Sequence, residues 1–367
     1  MKLNRRLIVL GLIVVLLLVL TFSGCAGVAD LDDDLAAPGD DLDAKETEYI
    51  FKLQHSWGAA ENHFFEHYAQ IVNKMSGGRI EIEVYSDGEL VDYTEIPDAV
   101  ASGIVDMGHT HPQYHLDVLE EGFIEYTPFL WSNTDEIMAA YWHYGIGDLL
   151  GEAIEETFGV VVLDFQIDDL GALLFSYPVE SIEDMSGMTI NIEPPMADIL
   201  RKEADVSAVY YEAEDLWYNM NMGILDGLEY GGAKAMVDMD LHSAAVSGGE
   251  SGRGSFVQPY FITAFTPFYC INEDTWNALP GDLQSILYEA VHANTLWVRS
   301  YYSYHEADSK RIMEEAGIDI VTMPDEDVEL LFRDALEWLE NEYAPQSPRC
   351  QEIYNTVIKV LEDFGRI

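Results

Sequence analysis

Three histidines lie close together in the sequence, at a spacing that could bind a metal ion. They are His109, His111 and His115, and the first two would point to the same side of a strand. With one further ligand they could complete a tetrahedral zinc site, which would make the chain a secreted metal-dependent hydrolase. Pro112 fixes a turn in the same segment, however, so an ordinary loop or the wall of a pocket explains these residues as well. The sequence holds no G-x-S-x-G motif and no cysteine in a catalytic context.

Aromatic and histidine rings are the second set of residues that could contact a ligand. The chain has 7 Trp and 21 Tyr, and most of them must fill a hydrophobic core. Those that follow a strand or flank a predicted helix are the better candidates, because their rings can wall a pocket or stack on a positively charged solute. We therefore expect solute contacts from His55, Trp57, His111, Tyr114, Trp217, Tyr230 and Phe268.

The elements that must position these residues alternate between strands and helices. This order is typical of an α/β lobe with a largely parallel sheet. In such a sheet the loops after the strands bind ligands, and His55 and His111 each follow a predicted strand. The residue patterns of the first part of the chain predict strands over 49–53, 79–85 and 104–107 and helices over 60–75 and 94–102.

The same alternation continues in the rest of the chain. A strand begins at Val160, another contains Ile190 and Ile192, and a helix is predicted over 212–222. Residues 280–315 have a nearly continuous helical pattern. A helix of that length exceeds the usual globular helix, so we expect it to span more than one lobe.

Charge and composition exclude several classes of protein. The chain has 67 Asp+Glu against 18 Lys+Arg, a formal net charge of -49 and 49% hydrophobic residues. The hydrophobic content excludes a wholly disordered acidic protein. The charge excludes a general nucleic-acid partner, because no basic surface remains to neutralise phosphates. The length of 367 residues suits two lobes of about 100–200 residues each.

The amino terminus predicts export from the cytoplasm. Basic residues precede an apolar run over 7–20, and small residues stand before Cys25. This order resembles the lipobox of bacterial lipoproteins, which implies a signal peptide over 1–24 and lipid on Cys25 that anchors the protein to the membrane. A plain secretory signal or a single anchor helix are the alternatives, and all three place the chain outside the cytoplasm. Residues 25–46 are acidic and rich in Ala, Gly and Pro, and they predict a flexible tether.

Two further cysteines, Cys270 and Cys350, remain for the exported part of the chain. An even pair in an oxidising compartment can form a disulfide. The sequence leaves open whether these two do so.

Five segments resemble the solute-binding proteins of tripartite ATP-independent periplasmic (TRAP) transporters, the DctP family. They occur in the order of that family over most of the exported chain. The segments are S-G-G-R-I-E-I-E-V-Y-S-D-G-E-L (76–90), A-V-A-S-G-I-V-D-M-G (99–108), D-M-S-G-M-T-I-N-I (184–192), N-M-N-M-G-I-L-D-G-L-E-Y (219–230) and I-N-E-D-T-W-N-A-L-P-G-D-L-Q (271–284).

The resemblance implies an α/β, two-lobed fold like that of periplasmic binding proteins (the Venus flytrap), with crossing hinge strands and a long helix that spans both lobes. It implies a receptor without enzymatic activity, which captures a small organic solute by hinge closure and delivers it to the membrane subunits of an ion-driven permease. A solute sensor of the same fold is a variant of this hypothesis. We expect a first lobe over 47–168 and about 256–290, a second lobe over 169–255 and about 300–367, and the spanning helix over 280–315.

The sequence departs from the family where the family clamps a carboxylate. The family places arginines in a G-x-K-x-R segment and in an earlier G-x-R segment, where this chain has Asn191 and Leu173. Some members instead hold a cation beside the solute, and the matching residues here are Glu229 and, nearby, Asp169. Two alternative classes of solute follow. One is an organic acid held through Na⁺ or Ca²⁺ by carboxylate ligands. The other is a neutral or cationic compound in a carboxylate-rich pocket with Asn191 in its wall. Both carboxylates could also lie on a solvated surface.

Overall fold

A computed structural model of the chain describes residues 47–168, 171–257 and 265–367. The strands of these residues form two sheets. In chain order they are β1 (Tyr49–His55), β2 (Ile80–Tyr85), β3 (Met107–Thr110), β4 (Val160–Phe165), β5 (Ala172–Phe175), β6 (Thr189–Asn191), β7 (Ser207–Val209), β8 (Gly227–Tyr230), β9 (Gly254–Val257), β10 (Phe268–Asn272) and β11 (Ile318–Val321).

Each sheet combines a group of parallel strands with antiparallel neighbours. The first sheet has the order β2-β1-β3-β10-β4, in which β1 is parallel to β2 and β3 and β10 is antiparallel to both of its neighbours. The second has the order β11-β9-β5-β8-β6-β7, in which β6 is parallel to β7 and β8 and β5 is antiparallel to β8 and β9. The parallel pairing that the sequence predicts therefore holds for these two groups of three strands and for the pair β9 and β11, but not for the remaining pairs.

The chain crosses between the two sheets three times, from β4 to β5, from β9 to β10 and from β10 to β11. The helices cover the faces of both sheets. They are α1 (Asn62–Met75), α2 (Ile96–Ala101), α3 (Phe123–Tyr126), α4 (Thr134–Trp142), α5 (Ile146–Phe158), α6 (Met196–Ala204), α7 (Ala213–Asn221), α8 (Ala233–Asp238), α9 (Leu241–Gly248), α10 (Glu273–Ala278), α11 (Gly281–Ala316), α12 (Asp325–Trp338) and α13 (Pro348–Asp363).

The long helix α11 joins the two sheets, as the sequence predicts. It contacts α1 and β4 on the side of the first sheet and α8, α9 and β11 on the side of the second. Each sheet has apolar clusters on both faces, because side chains alternate along a strand. In β10, for example, Phe268 and Cys270 enter one cluster of the first lobe, and Tyr269 and Ile271 enter the other. The two-lobed α/β fold with crossing strands is confirmed.

The last helix, α13, corrects the lobe assignment of residues 300–367. It packs on α4 and α5 of the first lobe, not on the second lobe. The reason is an apolar stripe at helical spacing, formed by Ile353, Val357 and Val360, which joins the buried cluster that contains Ile137 and Leu150.

The strand predicted over 104–107 begins three residues later in the structure, at Met107, where β3 starts. Gly103 has a φ of 75°, which ends α2, and the side chain of Ile104 is 59% exposed. The Asp106 carboxylate accepts a hydrogen bond from the backbone N–H of Lys52 at 2.8 Å, which fixes the turn before the strand. As a consequence, His109 lies inside the strand and not in the loop after it.

Cys270 and Cys350 are free thiols, so the disulfide is not formed. Both are buried in the same apolar cluster of the first lobe, but on different elements, β10 and α13. Burial raises the pKa of the Cys270 thiol to about 12, and its sulfur packs against Gly108.

The predicted signal peptide, the lipid attachment at Cys25 and the tether over 25–46 lie outside the described residues. Within the described ranges, no helix combines the length and the apolar character that crossing a bilayer requires.

Candidate functional site

A cleft of about 370 Å³ lies where the parallel strands of both sheets end. One wall comes from the loops after β1, β2 and β3, and the other from the loops after β6, β7 and β8. The carboxyl ends of parallel strands are where open α/β sheets bind ligands. The lining residues on the side of the first sheet are called the first wall, and those on the side of the second sheet are called the second wall.

A hydrogen-bonded chain holds the first wall in place. The indole Nε1 of Trp57 donates to Nε2 of His111 at 2.9 Å, and Nδ1 of His111 lies 2.8 Å from a carboxylate oxygen of Glu125. Because an indole N–H can only donate, Nε2 of His111 is the acceptor of this hydrogen bond. The N–H at Nδ1 of His111 therefore donates a hydrogen bond to Glu125. The orientation of the tryptophan ring is therefore set from the buried end of the chain.

Glu125 is fully buried and is satisfied from three sides. Besides His111 it accepts hydrogen bonds from the backbone N–H groups of Gln113 at 3.0 Å and Thr266 at 2.8 Å. Three donors around one buried carboxylate compensate for the loss of its hydration. Glu125 thus connects α3, the turn after β3 and the segment before β10 under the floor of the cleft.

Tyrosines complete the first wall. The rings of Tyr93 and Tyr114 meet edge to face, 4.9 Å between centroids, and Tyr114 also lies 5.0 Å from the ring of His111. Burial raises the pKa of the Tyr114 hydroxyl well above its ordinary value, and the charge of Glu125 adds to this effect. Tyr126, from α3, reaches across the cleft to the second wall.

The second wall presents carboxylates. A Glu193 oxygen accepts a hydrogen bond from the Tyr126 hydroxyl at 3.2 Å, which links the two walls. A Glu212 oxygen accepts one from the Tyr210 hydroxyl at 3.1 Å. Glu229, at the end of β8, is only 9% exposed and also lines the cleft.

The field in the cleft is negative. Burial raises the pKa of Tyr230 to about 12, helped by the charges of Glu61 and Glu229. Burial raises the pKa of Glu193 above its ordinary value, and the charge of Glu212 acts in the same direction. The described carboxylates that line the cleft are Glu61, Asp87, Asp168, Glu193, Glu212, Glu214 and Glu229. No lysine or arginine is among the described lining residues.

Five of the predicted solute contacts meet in this cleft. Trp57, His111 and Tyr114 lie in the first wall, and Asn191 and Tyr230 in the second. Asn191 is largely committed to the backbone, because its Oδ1 accepts a hydrogen bond from the N–H of Tyr211 at 2.6 Å.

Three other predicted contacts are not among the described residues that line the cleft. His55 is buried beneath the wall: its ring stacks on Phe65 with centroids 3.9 Å apart, and burial lowers its pKa to about 4. Phe268 points into a core cluster of the first lobe. Trp217 is 38% exposed on α7, where its Nε1 lies 3.3 Å from a carboxylate oxygen of Asp240. Asp169, the second candidate cation ligand, lies outside the described residues.

The three histidines do not converge as a zinc site would. His109 packs among Phe65, Tyr269 and Trp57, and His115 packs against Phe158. Within residues 47–168, 171–257 and 265–367, no group of three or more His, Cys, Asp or Glu side chains is arranged to hold a metal ion. The hydrolase hypothesis has no support in this geometry.

Several lining residues went unrecognised in the sequence. The rule that selected Trp57 and Tyr114, a position just after a parallel strand, applies equally to the residues after β6 and β7. Applied there, it would have identified Glu193 and Glu212. The contact between Glu125 and His111 has no local signal, because it depends on how α3 packs. The other unrecognised aromatic lining residues are Tyr93, Tyr126, Tyr210, Tyr211, Phe265 and Tyr302.

Comparison with known proteins places this geometry in a family. The family model described as bacterial extracellular solute-binding protein, family 7 (DctP), matches residues 54–346. A monocarboxylate 2-oxoacid-binding periplasmic protein of Nostoc sp. is 25% identical over 259 residues, which are 68% of this chain and 68% of that protein.

Solved structures share the fold. A TRAP periplasmic solute-binding protein of Chromohalobacter salexigens, with bound (S)-(+)-2-amino-1-propanol, has a TM-score of 0.73 at 20% identity and covers 87% of this chain and 97% of its own. A TRAP transporter solute-binding protein of Bordetella bronchiseptica, with copurified calcium and picolinate, has a TM-score of 0.71 at 17% identity and covers 87% and 94%. Since the family model spans most of the chain, the protein belongs to the bacterial extracellular solute-binding proteins of family 7 and is a solute-binding receptor, not an enzyme.

Proposed function

We propose that the protein captures a small organic solute outside the cytoplasm, between its two lobes, and delivers it to the membrane subunits of a TRAP permease. The observation that carries this proposal is the position of the cleft. Its two walls come from two different sheets, so a molecule bound there contacts both lobes at once.

Closure of the lobes is the expected mechanism of capture. A solute favours the closed form only by the contacts that it gains there and lacks in the open form. The hydrogen bond between Tyr126 and Glu193 joins the two walls without a solute, and it would form or break with closure. The helix α11 spans both sides and limits the motion to a hinge at the crossing strands.

The class of solute follows from the sequence hypotheses. An organic acid bridged by a cation is one, and the Bordetella protein, which copurified with calcium and picolinate, is a precedent for the fold. A neutral or cationic compound is the other, with the amino alcohol of the Chromohalobacter protein as its precedent. In this chain Glu229 would face the positive charge in either case.

We further propose that lipid on Cys25 anchors the receptor and that the segment 25–46 tethers it near the permease. The role as a sensor remains a variant of the same binding chemistry. A permease gene beside this one would favour transport, and a gene for a sensor protein there would favour signalling.

Native mass spectrometry of residues 26–367, as purified and again after unfolding and refolding, tests capture. A bound organic mass that unfolding removes supports the receptor function. Small-angle scattering then measures closure, as a decrease in the radius of gyration when the identified solute is added back. A protein that binds the solute with no change in its scattering would contradict hinge closure.

A further inference from the structure

We propose that the cleft selects a small organic cation, a protonated amine or a quaternary ammonium compound, in preference to a free carboxylate. This inference rests on the proposed receptor function and specifies the solute. It is drawn from the charge and the aromatic content of the cleft taken together.

Charge is the first observation. Carboxylates from both walls line the cleft, among them Glu61 and Asp87 on one side and Glu193, Glu212 and Glu229 on the other. The described lining contains no lysine or arginine that could neutralise them. A bound carboxylate would add to this negative charge inside a partly desolvated space, whereas an ammonium group would relieve it.

Ten basic residues of the described chain form ion pairs outside the lining of the cleft. Arg201 pairs with Asp198, and Arg253 pairs with Asp319 on the exposed surface. Lys234 is the basic residue whose charge reaches a cleft carboxylate, Glu61. Other described pairs away from the cleft are Arg79 with Asp282, Lys202 with Asp334, Arg299 with Asp135, Arg311 with Asp308, Arg349 with Glu156, Lys359 with Asp363 and Arg366 with Glu136.

Lys234 is itself satisfied outside the cleft. Its ammonium group pairs with Asp238 one turn along α8 and lies 5.7 Å from the centre of the Tyr301 ring. These contacts engage the ammonium group, and Lys234 is not among the described lining residues of the cleft.

The strand register places neutral residues on both sides of Glu229. Leu173 in β5 pairs directly with Glu229 in β8, and Asn191 in β6 pairs with its neighbour Leu228. Leu173 and Asn191 are the two positions where the sequence comparison expected arginine. Neither of these two positions therefore supplies a guanidinium beside Glu229.

Aromatic rings are the second, independent observation. Trp57, Tyr114 and Tyr126 line the first wall, and Tyr210 and Tyr230 line the second. Faces of such rings attract a cation, and the attraction grows when the cation loses its water. Carboxylates and rings together suit an organic cation, whose methyl or methylene groups need apolar contact as well as charge.

The main competitor is a metal ion that bridges to an organic acid. Within the part of the chain that the structure describes, the carboxylates are spread over the cleft, and no three of them converge as metal ligands. That spread favours one larger cation over a compact ion. The metal-bridged acid is therefore treated as an outcome of the test.

Matched pairs of compounds give a direct test by calorimetry on residues 26–367. Choline and its uncharged carbon isostere 3,3-dimethyl-1-butanol differ only in the charged nitrogen. Tetramethylammonium and 2-amino-1-propanol extend the series, and pyruvate and picolinate, each with and without Ca²⁺, represent the acids. We expect at least one ammonium compound to bind at least tenfold more tightly than the isostere and than every acid.

Charge-neutral variants locate the binding. Glu229→Gln and Glu193→Gln each keep the shape of the side chain and should weaken ammonium binding at least tenfold. Glu81→Gln, on the exposed side of β2, removes the same charge far from the cleft and should change the affinity less than twofold. The control separates the cleft from the general attraction of a chain with a net charge of -49.

Each other outcome overturns the inference. Tighter binding of an acid, alone or with Ca²⁺, would leave the receptor function intact but assign the other solute class. Binding of no ammonium compound at millimolar concentration would reject the organic cation even if mass spectrometry finds an organic solute. If mass spectrometry finds no organic solute and none of these compounds binds, both the organic cation and the acids of this series are rejected as solutes of the cleft.

Discussion

The two walls of the cleft are built differently, although both follow the ends of parallel strands. In the first wall a chain of three polar side chains satisfies itself: Trp57 donates to His111, and His111 donates to the buried Glu125. In the second wall the carboxylates Glu193 and Glu212 each accept a hydrogen bond from a tyrosine hydroxyl and otherwise face the cleft. The first wall therefore contains a preorganised hydrogen-bonded chain, and the second wall presents carboxylates that tyrosine hydroxyls contact from the cleft side.

This difference means that the two walls affect the stability of the protein without bound solute in opposite directions. Buried donors and acceptors that are fully paired stabilise the fold, and loss of one partner exposes the desolvation cost of the other. Carboxylates gathered in one cleft repel one another and so destabilise the form without bound solute, as the action of the Glu212 charge on Glu193 indicates. A ligand of opposite charge relieves that repulsion, and this relief makes the free energy of binding more favourable.

The largest effect should come from Glu125→Gln in the first wall. The amide keeps the size of the side chain, but one of its two ends donates, so a donor among His111, Gln113 and Thr266 loses its acceptor. We expect a loss of about 2–3 kcal/mol in the free energy of unfolding and weaker solute binding through a displaced Trp57. Urea denaturation and calorimetry measure the two effects. A variant as stable as the parent would show that the first wall does not depend on this carboxylate.

The same chemical change in the second wall should have the opposite effect on stability. Glu193→Gln removes a charge that burial already disfavours, as the raised pKa of Glu193 indicates, and the amide oxygen can still accept from Tyr126. We expect the melting temperature of the solute-free protein to rise by no more than about 2 °C. Thermal unfolding of the solute-free protein measures the change. A fall in melting temperature would mean that both walls are held by the same kind of contact.

The pH dependence of cation binding should reflect the protonation of Glu193 in the second wall. Burial raises the pKa of Glu193, with a further contribution from Glu212, while the Tyr126 hydroxyl bond lowers it. The charge of Glu193 also acts on Tyr210. Because the folded pKa is raised, this carboxyl takes up a proton at a pH above the ordinary value of 4.5 as the solution is acidified. Affinity for a cation requires the ionised form and is therefore lost as the pH falls through the raised pKa.

Glu61 should contribute in the same direction. Burial raises its pKa, as does the charge of Asp238, and Lys234 opposes them. Tetramethylammonium is the suitable probe, since it has no proton to lose, and its dissociation constant is measured by calorimetry from neutral to acidic pH. Glu193→Gln should flatten part of the profile. Affinity for tetramethylammonium that does not fall on acidification would show that neither carboxyl contributes to cation binding.

The fold could be predicted further than the site because the fold depends on patterns that repeat. Alternating residues predict the strand that became β2, and the long helical pattern predicts α11. The strand at β3 was misplaced because the apolar residues Ile104 and Val105 follow a glycine turn, and only the packing of that turn shows that the strand begins at Met107.

The site was predictable only where position along a strand decides the role. Trp57 and Tyr230 follow strands and line the cleft, whereas Phe268 begins an antiparallel strand and alternates into the core. Glu193 follows β6, so the same rule applies to it, although its charge alone does not distinguish it among 67 acidic residues. The role of Glu125 depends on contacts with residues up to 141 positions away, so it can be recognised only in the folded chain.

The smallest effect should come from Trp217→Ala, and it separates two tryptophans that the sequence treats alike. Trp57 lines the cleft and donates to His111, whereas Trp217 stands on the exposed part of α7 with Asp240 as its partner. A substitution at an exposed position away from such contacts usually changes stability by no more than about 0.5 kcal/mol. We expect Trp217→Ala to bind the solute as the parent does, and Trp57→Ala, its matched comparison, to bind at least tenfold more weakly because a wall of the cleft is lost. Titration of both variants by calorimetry measures this. Equal losses in the two variants would place the solute beyond the cleft, against α7, and would remove the distinction between the walls.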